Sequence, residues 1–211
     1  MTTFKNAQEA FENLYRKVSV YGQPFANTLT IFNIGFEIAN PLDNHITSEF
    51  RKWNPNYAEF EWQWYLSGDR NADAIAKRAP IWAAHQDEDG NVNSNYGWQW
   101  KRGDQLDYVI QELKARPNSR RASISIYDAK DRHNFERDTP CTYGVGFTIV
   151  NGKLNMTVMM RSNDLWFGFC NDQYCFSKLQ EMVANEVGVP VGSYFHFAQN
   201  LHLYNDKLNK L

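Results

Sequence analysis

The chain has 211 residues, enough for one domain with a sizeable core. Hydrophobic residues make up 43% and charged residues 22%, a balance that excludes a disordered chain. The net charge of −2 excludes a surface that holds nucleic acid non-specifically, so any phosphate site must be local and no nucleic-acid partner is required.

Residues 5–19 set Phe11, Leu14, Tyr15 and Val18 at helical spacing, which predicts an amphipathic helix. Residues 28–38 alternate and are β-branched, which predicts a strand. Asn54-Pro55 opens a helix that Gly68 stops. A short helix over 71–78 ends before Pro80. Asp104 caps a further helix with Leu106, Val109, Ile110 and Leu113 inward, and Pro117 ends it. The run Gln86-Asp-Glu-Asp-Gly-Asn lacks the closing glutamate of a calcium loop and reads as a surface turn.

Residues 121–127 alternate as a strand. Residues 141–150 and 153–161 flank Asn151-Gly152, a strong hairpin signal. Residues 172–187 predict a helix with Leu179, Met182 and Val183 on one face, stopped by Gly188, and residues 193–204 predict a last strand. The expectation is one α+β domain over residues 1–211, a mixed or mostly antiparallel sheet with flanking helices.

Cys141, Cys170 and Cys175 form no C-x-x-C pair and have no histidine at zinc spacing, so no metal site is expected. The N-terminus shows no apolar signal core and no apolar run reaches membrane length, so the expected location is the cytoplasm, with no membrane partner.

Cys141 follows Pro140 at the start of a strand, where its thiol can sit at a sheet rim or be buried as a small hydrophobe. Arg161 lies across the predicted hairpin and would favour a thiolate. Arg161-Ser162 interrupts an apolar strand, a position that asks for a bound anion or a fixed acidic partner. Glu61 sits among Tyr57, Trp64 and Tyr65. It is either a buried carboxyl with a raised pKa, suited to proton handling, or an edge residue reaching water. Arg120-Arg121 after Ser119 make a phosphate fork or a solvated turn. His202 and Tyr204 share one strand face and could hold a sugar hydroxyl. His45, His85, His133 and His196 show no usable pattern.

Together these residues resemble the thymidylate synthase family and, within it, the phage deoxycytidylate hydroxymethylase branch. The resemblance runs from Glu61 to Tyr204. It is carried by Glu61 in Phe-Glu-Trp-Gln-Trp-Tyr-Leu-Ser-Gly-Asp, Trp82 in Pro-Ile-Trp, Asn93-Ser-Asn-Tyr-Gly-Trp, Pro117-Asn-Ser-Arg-Arg and Pro140-Cys141. The runs Arg161-Ser-Asn-Asp-Leu-Trp-Phe-Gly-Phe and Leu201-His-Leu-Tyr204 complete it. It implies a homodimer with shared active sites, built on one sheet face. It also implies a pyrimidine nucleoside monophosphate substrate and methylenetetrahydrofolate as cosubstrate.

The same resemblance implies roles. Cys141 adds to carbon 6 of the base, Glu61 manages protons through water, and Tyr96 assists proton removal from carbon 5. Arg161 and Ser162 bind phosphate, joined by Arg120 and Arg121 from across the dimer, while His202 and Tyr204 hold the sugar. Trp82, Asp164 and Gly168 belong to the folate side. Asp172 stands where synthases usually place asparagine, and Thr142 where they carry histidine after the cysteine. A carboxyl group at 172 is expected to read cytosine, and a wrong base leaves buried polar groups unmade at about 1–3 kcal/mol each. The product expected is 5-hydroxymethyl-dCMP, formed when water adds to the exocyclic methylene.

The sequence departs from synthases in having no arginine in Tyr21-Gly-Gln-Pro-Phe-Ala-Asn, and Met160 in place of glutamine. Only seven residues follow Tyr204, and a shorter C-terminal cover is expected to admit water. The alternatives are a dUMP or CMP methylase or hydroxymethylase, and a nucleotide-binding member without turnover.

Overall fold

The computed structural model describes residues 2–128 and 137–210, and His133 lies outside them. Helix α1, Ala7–Tyr21, starts behind Asn6, whose side chain accepts from the Glu9 N–H at 2.9 Å, and buries Phe11, Leu14, Tyr15 and Val18. Strands β1, Thr2–Phe4, and β2, Gln23–Phe25, flank β3, Thr28–Ile38. Helix α2, Pro55–Ser67, is capped by Asn54, which accepts from the N–H groups of Asn56 and Tyr57, and ends where Gly68 turns left-handed.

Helices α3, Asp73–Ala76, α4, Ile81–His85, α5, Tyr96–Lys101, and α6, Gln105–Ala115, follow. Strand β4, Ser123–Ser125, precedes the hairpin of β5, Thr142–Val150, and β6, Lys153–Met160. Asn151 and Gly152 both take positive φ at its turn, as a type I′ connection requires. Strand β7, Asn163–Asp164, helix α7, Gly168–Val187, and strand β8, Val191–Tyr204, complete the order.

Among the described residues the strands form one mixed sheet in the order β1-β3-β8-β6-β5-β4, with β2 added to β3 and β7 to β8. Strands β6 and β8 run parallel and are joined by a crossover through α7, whereas β3–β8 and β5–β6 are antiparallel. Helices α1 and α7 cover one face, over buried Phe36, Ile38, Val145, Phe147, Met156, Val158 and Tyr194. The other face carries Phe195, Phe197 and Met159, half-buried or exposed. A bulge between Thr142 and Gly144 turns Tyr143 to that face too, where its hydroxyl donates to Gln199 Oε1 at 2.7 Å.

The α+β class and the mixed sheet with helices are those expected, and several element ends are corrected. The short helix expected near 71–78 is α3, a single turn over Asp73–Ala76, and Pro80 also sits at the start of α4. Regular strand geometry over 121–127 is confined to Ser123–Ser125, although backbone bonds to β5 extend from the Ala122 carbonyl, which accepts from the Phe147 N–H at 2.8 Å, to the N–H groups of Ile126 and Tyr127, which donate to the Tyr143 carbonyl at 2.9 and 3.1 Å. Asp104 precedes α6 but its side chain caps nothing, since its backbone is left-handed at φ 56°. Helix α7 begins at Gly168 rather than at 172, behind Phe167, which offers no capping oxygen and so left no signal. Cys141 and Arg161 lie one residue outside β5 and β6 instead of within them. Among the described residues, no helix is long and apolar enough to cross a membrane.

Candidate active site

The β5–β6 hairpin brings Cys141 and Arg161 together. The Arg161 N–H donates to the Cys141 carbonyl at 2.8 Å. Its guanidinium donates to the carbonyls of Pro140 at 3.0 Å and Thr139 at 2.7 Å, and reaches the Cys141 sulfur at 3.8 Å. Backbone oxygens therefore hold this arginine, not the acidic partner considered from the sequence, and among the described residues it pairs with no carboxylate. Its charge stays uncompensated beside the thiol, as an anion site requires. Burial pushes the Cys141 thiol up to about 11. Arg161 pulls it down, and Asp172, Asp138 and Asp164 push it further up. Ser162 follows, half-buried.

Helix α2 delivers Glu61. It is 4% exposed, so it does not reach water at the edge of the helix. The Tyr65 hydroxyl donates to its Oε1 at 2.7 Å and the Tyr57 hydroxyl also bonds to it. Desolvation raises its pKa and the two tyrosines oppose that rise. The Trp82 indole donates to the Tyr57 hydroxyl at 2.9 Å, so a half-buried ring on α4 is tied to the buried carboxyl. Helix α5 delivers Tyr96. Gly97 beside it packs so closely on α2 that a Cβ there would collide with the Tyr65 carbonyl. Asn95 fixes this helix start, accepting from the Trp98 N–H at 2.8 Å and donating to the carbonyls of Trp64 and Asp69 at 3.0 and 2.9 Å.

Strand β7 and the first turn of α7 deliver Asp164, Gly168 and Asp172. Asp164 is pushed up to about 6 by burial, against backbone N–H bonds from Trp166 and Phe167 and the charges of Arg51 and Lys207. Asp172 is raised well above the usual carboxylate range by burial and by the neighbouring charges of Glu61 and Asp164, which favours its protonated form. The Asn163 amide donates to Asp172 Oδ2 at 3.0 Å, and a Cβ on Gly168 would lie 3.2 Å from the same oxygen.

On β8, His202 is buried and its Nδ1 meets Asn200 Oδ1 at 2.9 Å. The Tyr204 ring stands edge-on to it at 5.4 Å. Tyr204 is coupled electrostatically to Asp164 and Cys141, and Tyr96 to Asp172 and Cys141. Cys141, Arg161, Glu61, Tyr96, Asp164, Asp172 and Tyr204 thus share one electrostatic neighbourhood.

Arg120 and Arg121 do not join it. Both are exposed beyond the C-terminus of α6, where the Arg121 N–H donates to the Ser119 hydroxyl at 3.1 Å.

Four residues not singled out from the sequence belong to this region. Asp138 accepts from the N–H and hydroxyl of Ser94 at 2.6 and 2.7 Å, tying the approach to Cys141 to the loop before α5. Asn163 and His196 back Asp172. Arg51 donates to the Trp166 carbonyl at 2.7 Å and lies over the Trp166 ring beside Asp164. None had a local signal, because each contact spans more than eight residues of chain. The Thr142 side chain is fully buried and interacts with the Tyr96 hydroxyl. Among the described residues, no group of three or more His, Cys, Asp or Glu is placed to hold a metal.

The family model described as thymidylate synthase matches residues 26–211. A deoxyuridylate hydroxymethyltransferase of Pseudomonas phage M6 is 34% identical over 167 residues, 76% of this chain and 48% of that protein. Thymidylate synthase 1 of Bacillus subtilis strain 168 is 27% identical over 195 residues, 88% of this chain and 70% of that protein. The thymidylate synthase of Bacillus phage phi3T is likewise 27% identical over 195 residues. The chain spans about half the length of the first of these relatives.

Proposed function

Because the chain belongs to the thymidylate synthase family, we propose that it moves a one-carbon unit from methylenetetrahydrofolate to carbon 5 of a pyrimidine nucleoside monophosphate. Its substrate is dCMP and its product 5-hydroxymethyl-dCMP, made in the cytoplasm by one catalytic unit over residues 1–211.

The observation that carries the base assignment is Asp172. Burial favours the protonated carboxyl group, which offers one donor and one acceptor to match the ring nitrogen and the amino group of cytosine. Cys141 adds through sulfur to carbon 6, and Arg161 with Ser162 holds the phosphate. Glu61 handles protons, its pKa already raised, and Tyr96 takes part in removing the proton from carbon 5. His202 and Tyr204 hold the sugar.

The folate side fits residues of the right chemistry. Trp82 offers a half-buried ring, Asp164 protonates near neutrality, Gly168 leaves space, and Arg51 and Lys207 supply positive charge nearby. The folate supplies the one-carbon unit, and this chain's residues orient the nucleotide and control its protons. The name of the phage relative supports hydroxymethylation over methylation.

A homodimer with shared sites is supported by the sheet face bearing Phe195, Phe197, Met159 and Tyr143, and by the exposed Arg120 and Arg121. Reaching across the interface, those arginines would add positive charge near Arg161 and lower the Cys141 thiol.

A second reading, dUMP as substrate, is favoured by the name of the same phage relative. Folate-dependent release of tritium from carbon 5 of labelled dCMP and dUMP tests the function. Faster release from dCMP supports the assignment, and faster release from dUMP favours the second reading. Binding without release from either nucleotide would mark a member without turnover.

A further inference from the structure

A chain of four side chains runs through the core into Asp172. The Tyr194 hydroxyl meets His196 Nδ1 at 2.8 Å, His196 Nε2 meets Asn163 Oδ1 at 3.1 Å, and the Asn163 amide donates to Asp172 Oδ2 at 3.0 Å. The first three residues are almost fully buried, with His196 and Tyr194 at 0% and Asn163 at 2% exposure. Buried polar chains of this kind are costly unless every member is satisfied, and this one is.

Its direction follows from donor and acceptor chemistry. Asn163 Oδ1 only accepts, so His196 Nε2 must carry its hydrogen. Burial holds the ring neutral, with a pKa lowered to about 3, so Nδ1 is bare and accepts from Tyr194. The ring is clamped against rotation by Phe36, stacked at 5.1 Å, and by Phe169, edge-on at 5.6 Å. The Asn163 amide is thus held with its nitrogen toward Asp172, and Oδ2 is committed as an acceptor.

That commitment matters because a neutral carboxyl group is ambiguous. With the proton on one oxygen it donates to the cytosine ring nitrogen and accepts from the amino group. With the proton on the other it accepts from the uracil ring N–H and donates to the carbonyl. We propose that Asn163 and His196 are positioning residues that confine the Asp172 proton to Oδ1, so that the site pairs with one pyrimidine and rejects the other. The proposal rests on Asp172 reading the base, but it does not depend on which base is preferred.

The test compares His196→Phe with His196→Gln. Phenylalanine keeps the ring packing and loses the N–H. Glutamine can place an amide N–H near the position of Nε2. The readout is the ratio of kcat/KM for dCMP and dUMP, with Asp172→Asn as reference. General damage lowers both nucleotides together and leaves the ratio in place.

The expected result is a preference narrowed about tenfold or more in His196→Phe and largely kept in His196→Gln. Asn163→Ala should narrow it similarly, and equilibrium binding of both nucleotides gives the same comparison should turnover be too slow. A preference that responds to Asp172→Asn but not to His196→Phe or Asn163→Ala overturns the positioning role and leaves base reading by Asp172 standing. A wild-type protein with no preference, or one indifferent to Asp172→Asn, overturns base reading and this proposal with it.

Discussion

The Arg161 guanidinium lies 3.8 Å from the Cys141 sulfur while its backbone N–H holds the Cys141 carbonyl at 2.8 Å. One residue therefore fixes the position of the thiol and supplies the positive charge beside it. In the single protomer burial outweighs that charge and pushes the thiol up to about 11, so the sulfur is protonated at neutral pH. Attack on a base thus needs proton transfer or further positive charge. Cys141→Ser should lower turnover by about a thousandfold or more and leave nucleotide affinity within about threefold, because the thiol supplies chemistry and the arginine supplies binding. Steady-state rates and equilibrium binding separate the two effects. Near-normal turnover of the variant would exclude covalent catalysis by this cysteine.

Asp172→Asn should move the preference from dCMP toward dUMP by about tenfold or more. Without the acid's proton, the amide can turn its oxygen to the uracil ring N–H and its nitrogen to the uracil carbonyl, giving up the Asn163 bond that the acid accepts. The ratio of specificity constants measures this. An unchanged ratio would remove Asp172 from base selection.

Arg120 and Arg121 are exposed and stand apart from Arg161 within one chain, so in the proposed dimer they would reach the phosphate site of a second copy. Mixing an Arg121→Ala subunit with a Cys141→Ser subunit should restore part of the activity, since one of the two heterodimer sites keeps both groups. Verified heterodimers with no recovery would place the whole site within one chain.

Asp164 gives a stability prediction with a definite sign. Its folded pKa of about 6 lies above the ordinary value of 3.8, so the folded state binds the extra proton between these values. Stability therefore falls as pH rises through that window, and the penalty is complete above it. Asp164→Asn should stabilise the protein at pH 7 by up to about 3 kcal/mol and have little effect near pH 4. Urea unfolding at both pH values checks it, and an equal effect at the two would refute the burial penalty.

The parts of this site that were legible in sequence are those written by local chemistry. Asn151-Gly152 set the hairpin, and the hairpin sets the Cys141–Arg161 contact. Asn54, Pro55 and Gly68 bounded α2 and so located Glu61. The fate of the Glu61 carboxyl was open because α2 is apolar on most of its surface, and periodicity does not say which side meets the core. Only packing against α5 and α7 decides that. Asn163 and His196 were silent because their contact joins residues 33 apart across two strands. Helix α7 was misplaced at its start because Phe167 offers no capping side chain, and the bond that orders the chain there, Asp164 accepting from the Trp166 N–H at 2.8 Å, lies before the helix.

The most direct measurement is mass spectrometry of the products from dCMP and dUMP with methylenetetrahydrofolate, run in labelled water while absorbance follows dihydrofolate. The account predicts 5-hydroxymethyl-dCMP carrying oxygen from the labelled water, with tetrahydrofolate released and no dihydrofolate formed. A methylated, unlabelled nucleotide with stoichiometric dihydrofolate would contradict it, because hydride rather than water would then have reached the exocyclic methylene.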